Sequence, residues 1–149
     1  MIRLATRKDA DEIFRAFCRR KDIFPHIRKD YINRRIEDNE CIYQDGVVIT
    51  FQWYLKSVRL GDTLIPRGSC MLHQILNSNQ FSGHAKRVWE FFVDEIVCGE
   101  TLYLSVREDN RTAREFYERR GMLVCGRVNW KDGKMPGVIY RLDPPLLTG

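Results

Sequence analysis

The sequence predicts an α/β (α+β) fold, a mixed central sheet flanked by helices, and three observations carry that expectation. Ala85, Val88, Trp89, Phe92, Val93 and Ile96 recur at intervals of three and four, the spacing of an amphipathic helix. After the turn pair Asp45-Gly46, Val47, Ile49, Phe51, Trp53 and Leu55 alternate with more polar residues, as in the second arm of a hairpin with one core-facing side. The run Cys70 to Leu76 is apolar at positions of both parities and reads as a central strand. Helical and strand patterns mixed along one chain require layers of both kinds.

The elements follow in order. Ile2 to Ala5 reads as a short edge strand, and Thr6 with Asp9 resembles a capping box opening a helix whose inward residues are Ala10, Ile13, Phe14 and Phe17. Phe24, Pro25 and His26 interrupt it, and a second helix turns Ile27, Tyr31, Ile32 and Ile36 inward. Glu40 to Gln44 and Val47 to Val58 are the hairpin arms; turns around Gly61-Asp62 and Pro66 to Gly68 then lead to the central strand, which ends at Asn77-Ser78-Asn79. Gly99 stops the long helix, and Leu102 to Val106 is a strand. The stretch Asp109 to Met122 reads as a helix capped by Asp109, ended by Gly121, and presenting Ala113, Phe116, Tyr117 and Arg120 on one face. Leu123 to Trp130, the turn Asp132-Gly133 and Val138 to Leu142 close the chain. The order is β-α-α-β-β-β-α-β-α-β-β, in one domain over 1–149 with 144–149 as a short C-terminal tail.

Composition narrows the class. A chain of 149 residues suffices for one well-buried domain, and 44% hydrophobic with 30% charged residues describes a soluble globular protein, not a disordered one. No apolar run approaches a membrane span, and MIRLATRKDADE carries charge where a signal peptide needs its apolar core, so a cytoplasmic protein without membrane association is expected. Cys18, Cys41, Cys70, Cys98 and Cys125 are scattered with no Cys-x-x-Cys, which suggests neither a disulfide framework nor a metal site. Neither a Gly-x-x-x-x-Gly-Lys-Ser/Thr loop nor Gly-x-Gly-x-x-Gly is present, so a kinase or dehydrogenase is unsupported. Between Arg15 and Arg35 eight basic residues stand against two acids, a net +6 in a chain of +5. Such a local patch points either to an anionic partner or to a solvated helical face.

Two motifs bear on chemistry. Gln80-Phe81-Ser82-Gly83-His84-Ala85 joins the central strand to the long helix: Gly83 permits a special backbone turn, Ala85 allows close approach, and the free N–H groups of a first helical turn face an anion. An ordinary loop with a helix cap is the alternative. In the second motif Asn110, Ala113, Phe116, Tyr117, Glu118 and Gly121 follow a strand at fixed spacing. Here Tyr117 could simply pack on its helix and Asn110 simply cap it.

Taken together and in this order, the two motifs resemble those of the GCN5-related N-acetyltransferases, the GNAT superfamily, whose element order also matches nearly the whole chain. The resemblance implies an acetyl-CoA-dependent N-acyltransferase moving acetyl from the CoA thioester to a primary amine by direct attack. It implies that Gln80, Phe81, Ser82, Gly83, His84 and Ala85 hold the CoA pyrophosphate, that Asn110 and Ala113 border the pantetheine arm, and that Tyr117 lies near the sulfur as a proton donor. Backbone N–H groups near Ile75 and Leu76 would meet the oxyanion. His73 is the one imidazole on the central strand, and it is either the base or a hydrogen-bonded core residue. The first two helices would border the acceptor, which makes Phe24, His26, Arg28 and Tyr31 candidates for binding it, with an anionic or nucleic-acid-linked amine suited to their chemistry. The competing expectation is a GNAT-fold binding module without turnover, holding nucleic acid through segment 15–35. Ala85 replaces the commoner Gly, and Met122 the usual Phe. Oligomeric state and acyl-chain preference have no signature in the sequence.

Overall fold

The structure, a computed structural model, describes residues 3–78 and 82–144. Its helices are α1 (Ala10–Cys18), α2 (Lys29–Glu37), α3 (Ser82–Phe91) and α4 (Arg111–Arg119); a 3₁₀ turn, Arg7–Asp9, precedes α1 and a π-helical turn, Phe92–Val97, follows α3. Its strands are β1 (Cys41–Gln44), β2 (Val47–Trp53), β3 (Val58–Leu60), β4 (Thr63–Ile65), β5 (Cys70–Asn77), β6 (Leu102–Arg107), β7 (Leu123–Trp130) and β8 (Met135–Leu142). The hydrogen-bonded order β1-β2-β5-β6-β8-β7 forms one six-stranded sheet, in which β5 and β6 are parallel and β1–β2, β6–β8 and β7–β8 antiparallel. The fold is thus the mixed sheet flanked by helices that the sequence predicts. The chain gathers into two compact units, Met1–Gln52 with His73–Ile96, and Trp53–Leu72 with Val97–Gly149.

In the first unit, Ile13 and Phe17 of α1 and Ile32 and Ile36 of α2 pack on Cys41, Val48 and Leu76. The apolar stripes predicted for both helices form this core. Phe51 meets Phe92 at 5.1 Å between ring centroids, while Val48 faces the α1–α2 cluster. Both faces of β2 are therefore covered, and Val47 through Phe51 are all buried, which corrects the expectation of a single core face. The edge strand reduces to one bridge, Leu4 to Ile42, and an Ala5 N–H to Cys41 carbonyl bond of 2.8 Å; Ile2 lies outside the described residues. The chain turns away there because the predicted capping box forms, the Thr6 N–H donating to Asp9 Oδ2 at 2.8 Å. Arg3 grips the same carboxylate at 2.8 and 3.1 Å and holds its pKa down to about 2.

In the second unit Ile65, Met71, Tyr103, Val128 and Ile139 form the core. The predicted arm to Val58 ends at Trp53, since Tyr54 leaves to exchange bonds with the Ser69 carbonyl (3.0 Å) and the Gly68 N–H (2.9 Å). Leu55, expected inside by alternation, is 87% exposed. A hairpin absent from the predicted order follows, β3 and β4 around Gly61-Asp62. It is docked on β7: the Asp62 N–H reaches the Arg127 carbonyl at 3.1 Å, and Asp62 Oδ1 accepts the Arg127 N–H at 2.8 Å. Helix α4 starts one residue later than expected, so Asn110, not Asp109, is its cap. It ends as predicted, with Gly121 at φ +92° and the Met122 N–H on the Tyr117 carbonyl at 3.1 Å. No helix among the described residues is long and apolar enough to cross a membrane, and no group of three His, Cys, Asp or Glu among them could hold a metal.

Candidate active site

The first unit assembles a polar cluster where apolar strands meet α2. His73 Nε2 lies 3.1 Å from Gln52 Oε1, and the ring stands edge-on to Tyr31 at 6.3 Å. The Tyr31 hydroxyl donates to Gln74 Oε1 at 2.9 Å, and the hydroxyl of fully buried Thr50 donates to the same oxygen. Thr50 and Gln52, two apart on β2, share a face, whereas their partners Gln74 and His73 are consecutive on β5. Consecutive residues of a regular strand point to opposite faces, so β5 departs from regular alternation here, as strands beside sites often do. Burial, seconded by the Arg35 charge, pushes the His73 pKa down to about 4, and the ring is neutral at pH 7.

A pocket of about 380 Å³ opens over this cluster, lined by His26, Ile27, Arg28, Tyr31, Arg34 and His73 with Gln74 and Asp30. It unites three of the acceptor candidates, His26, Arg28 and Tyr31, with the candidate base. Phe24 is not among its lining; it stands edge-to-face on Phe17 at 5.1 Å and packs against the α1–α2 core. The basic segment is also partly neutralised. Arg35 is buried against Glu40 at 3.0 Å and also reaches Asp38 at 3.4 Å, Lys29 pairs with Asp11, and Arg20 pairs with Asp22.

At the start of α3, Gln80 and Phe81 lie outside the described residues, and Ser82 is described by its backbone alone. Gly83 is already helical and its φ is not positive, so the special turn expected of it is not what it provides. Among the described residues, and setting aside its own helix and chain neighbours, nothing lies within 4 Å of where its Cβ would stand, at the N-terminal end of α3. His84 is half-buried and Ala85 is buried at 8% exposure. Arg87 is held by Asp45 at 2.7 Å. Ile75 and Leu76 follow the part of β5 that the parallel ladder to β6 takes in, Cys70 to Leu72.

In the second unit, Asn110 Oδ1 accepts the Ala113 N–H at 3.2 Å, the capping geometry. Tyr117 is 5% exposed, its ring 5.7 Å from Phe116 and 6.1 Å from Tyr140, and burial pushes its pKa above the ordinary phenol value. Tyr140 in turn accepts from Arg114 Nε at 2.9 Å and donates to Glu118. A pocket of about 470 Å³ borders the start of this helix, with Arg107, Glu108, Arg111, Arg114 and Lys134 in its wall.

Gln52, Thr50 and Gln74 escaped the sequence reading, and Arg34 entered it only as part of the basic segment. The available signal was polar residues within otherwise apolar strands, which a buried position makes informative.

No family model and no curated protein matches the chain. Solved structures do. A GNAT-family acetyltransferase of Bacillus cereus superposes with a TM-score of 0.71 at 16% identity, covering 98% of both chains. The ribosomal-protein-S18-alanine N-acetyltransferase of Escherichia coli gives 0.68 at 18% identity, over 98% of this chain and 94% of that one. NAA60 of Arabidopsis thaliana, solved with a bisubstrate analogue, gives 0.67 at 15% identity, over 97% and 99%. At these identities the likeness shows the fold, and that fold is the GNAT fold.

Proposed function

We propose that this GNAT-fold protein transfers an acyl group, acetyl in the first instance, from coenzyme A to a primary amine. The observation that carries the reading is the pocket in which a neutral, hydrogen-bonded His73 meets the acceptor candidates His26, Arg28 and Tyr31. The start of α3 supports the cofactor part of the reading. The open space at Gly83 beside the α3 N-terminus suits a pyrophosphate, whose charge the helix dipole and unpaired N–H groups stabilise. Gln80 to Ala85 would hold that group, Asn110 and Ala113 would border the pantetheine arm, and backbone N–H groups near Ile75 and Leu76 would receive the oxyanion.

Proton traffic is divided between two side chains. With a pKa of about 4, His73 is too weak a base to strip a free alkylammonium ion, whose pKa is about 10.4. It accepts the proton from the nitrogen after the bond to the acetyl carbon forms, and the acceptor must arrive neutral. Tyr117 supplies the proton that leaves with sulfur. Its raised pKa keeps it protonated, as the donor to a departing thiolate would have to be. The rim residues Arg28, Arg34 and His26, with Asp30 as the lone acid, suit an acceptor carrying an anionic group.

The test begins with binding. Millimolar acetyl-CoA raises the melting temperature of the wild-type protein and not that of Gly83→Asp, a substitution the open space admits without ligand. Thiol release with pooled amine acceptors then follows turnover. No thermal shift, or an equal shift in both proteins, sinks the cofactor assignment; binding without thiol release favours a binding module.

A further inference from the structure

The Gln52 contact bears on a question that a lone histidine leaves open, namely which nitrogen holds the proton. An amide oxygen carries lone pairs and no hydrogen, so the 3.1 Å contact to Gln52 Oε1 points to His73 Nε2 as the N–H. A neutral imidazole then has its lone pair on Nδ1. Gln74 Oε1 offers the ring no rival acceptor, because the hydroxyls of Tyr31 and Thr50 already donate to it. Tyr31 fixes the ring from its edge, and Gln52 sits on β2, whose buried run of Val47 to Phe51 anchors the strand. The charged and titratable groups around the imidazole are Tyr31 and, behind it, Arg35 from α2, with His26, Arg28, Asp30 and Arg34 around the pocket. On balance they oppose a second proton on the ring, and neutrality leaves the tautomer to be decided by its hydrogen bond.

We propose that Gln52 is a positioning residue which, by accepting the Nε2–H of His73, presents Nδ1 as the atom that receives the proton of the acceptor amine. This rests on the acyl-transfer reading above. In the step, the amine nitrogen bonds to the acetyl carbon, the carbon–sulfur bond breaks, sulfur departs as a thiol with the Tyr117 proton, and one nitrogen-bound proton passes to His73 Nδ1. Exchange with water returns both side chains to their starting states. Gln52 never meets substrate; its effect is to keep the lone pair on the correct nitrogen and the ring in one orientation.

Nitrogen-15 NMR of the histidine rings at pH 7, with His73→Gln to assign the signal, reads the tautomer in the wild-type protein without any catalysis. The expected result is protonated Nε2 and unprotonated Nδ1. Gln52→Leu removes the acceptor, so the signal should shift to a tautomer mixture and kcat should fall by about tenfold to a hundredfold, with the KM for acetyl-CoA unchanged. Gln52→Glu keeps an acceptor and adds a negative charge, so it should retain the Nε2–H form and move the acidic limb of the kcat–pH profile upward from about pH 4. An Nδ1–H signal in wild type, or a Gln52→Leu protein with unaltered tautomer and kcat, overturns the proposal, as does an unmoved acidic limb in Gln52→Glu. If no amine is acetylated at all, the acyl-transfer reading fails, and the NMR result still decides whether Gln52 sets the tautomer.

Discussion

His73 and Tyr117 are both neutral at pH 7, and exclusion of water moves their pKa values in opposite directions. Burial disfavours charge, so it lowers the pKa of a base and raises that of an acid. For His73 the result is a second proton site that empties as the pH rises above about 4, and for Tyr117 a site that stays filled well into the alkaline range. The surroundings differ as much as the signs. His73 faces Gln52 and borders a pocket, and Tyr117 packs with the rings of Phe116 and Tyr140. The imidazole can be retuned by changing one amide, and burial is what raises the phenol.

The largest expected effect is on acid stability. As pH falls, an unfolded chain takes up the His73 proton near 6.5 while the folded protein refuses it until about 4, so folding weakens through that window. The cost comes to about 3 kcal/mol at pH 4, from the ~1.4 kcal/mol that accompanies each tenfold change in proton affinity. Asp9 does not confuse the measurement, because its depressed pKa of about 2 loses stability only below the ordinary 3.8. Urea denaturation at pH 7 and pH 4.5 should show a drop in wild type that is much smaller in His73→Gln. Equal drops would mean that His73 is not held neutral by burial.

Next comes the phenol. Tyr117→Phe keeps the ring packing and removes the hydroxyl, so the acetyl-CoA thermal shift should persist while turnover falls by roughly 10²-fold or more. Full turnover in that variant would leave Tyr117 as a packing residue and end the division of proton traffic proposed here.

The two sites were legible in the sequence to unequal depth, for physical reasons. Tyr117 stood out because its helix carries several spaced positions at once, and a local pattern survives in one dimension. His73 could be located but not interpreted. Its partner is 21 residues away, and only the strand pairing brings them together. Fold legibility failed in the same manner. The alternation from Val47 to Leu55 records which side chains suit a strand, not where the backbone changes partner, so the departure of Tyr54 to Ser69 and the β3–β4 hairpin were invisible. Gly83 taught the reverse lesson: its presence was noticed, but the backbone angle expected of it is not what it adopts, and a Cβ there would meet open space.

A third prediction disturbs the second unit while sparing the His73 pocket. Gly61 has φ +57°, and a Cβ there would stand 2.1 Å from the Arg127 carbonyl oxygen. Gly61→Ala should cost about 2 kcal/mol by combining left-handed strain with a backbone clash. The denaturation midpoint should fall while the His73 tautomer signal stays in place. If that signal moves as well, the two regions are not independent in their response.

The smallest effect concerns the pocket rim. The segment from Arg15 to Arg35 holds a formal +6, of which Arg35 is buried in ion pairs and Lys29 and Arg20 have acidic neighbours. Arg28 and Arg34 instead border the His73 pocket, where Asp30 is the single opposing carboxylate. Exposed charge pairs contribute about 0.2–1 kcal/mol each. Arg28→Ala and Arg34→Ala should therefore raise the KM for an amine bearing a carboxylate or phosphate by only about 1.4- to 5-fold apiece, and leave a neutral amine unaffected. Added salt should weaken the same preference, since the charges are in water. Equal changes for charged and neutral acceptors would remove the rim from acceptor selection. A steep salt dependence of tRNA binding that these substitutions flatten would point instead to phosphate contacts along a nucleic acid, each lost cation reducing the slope by about one.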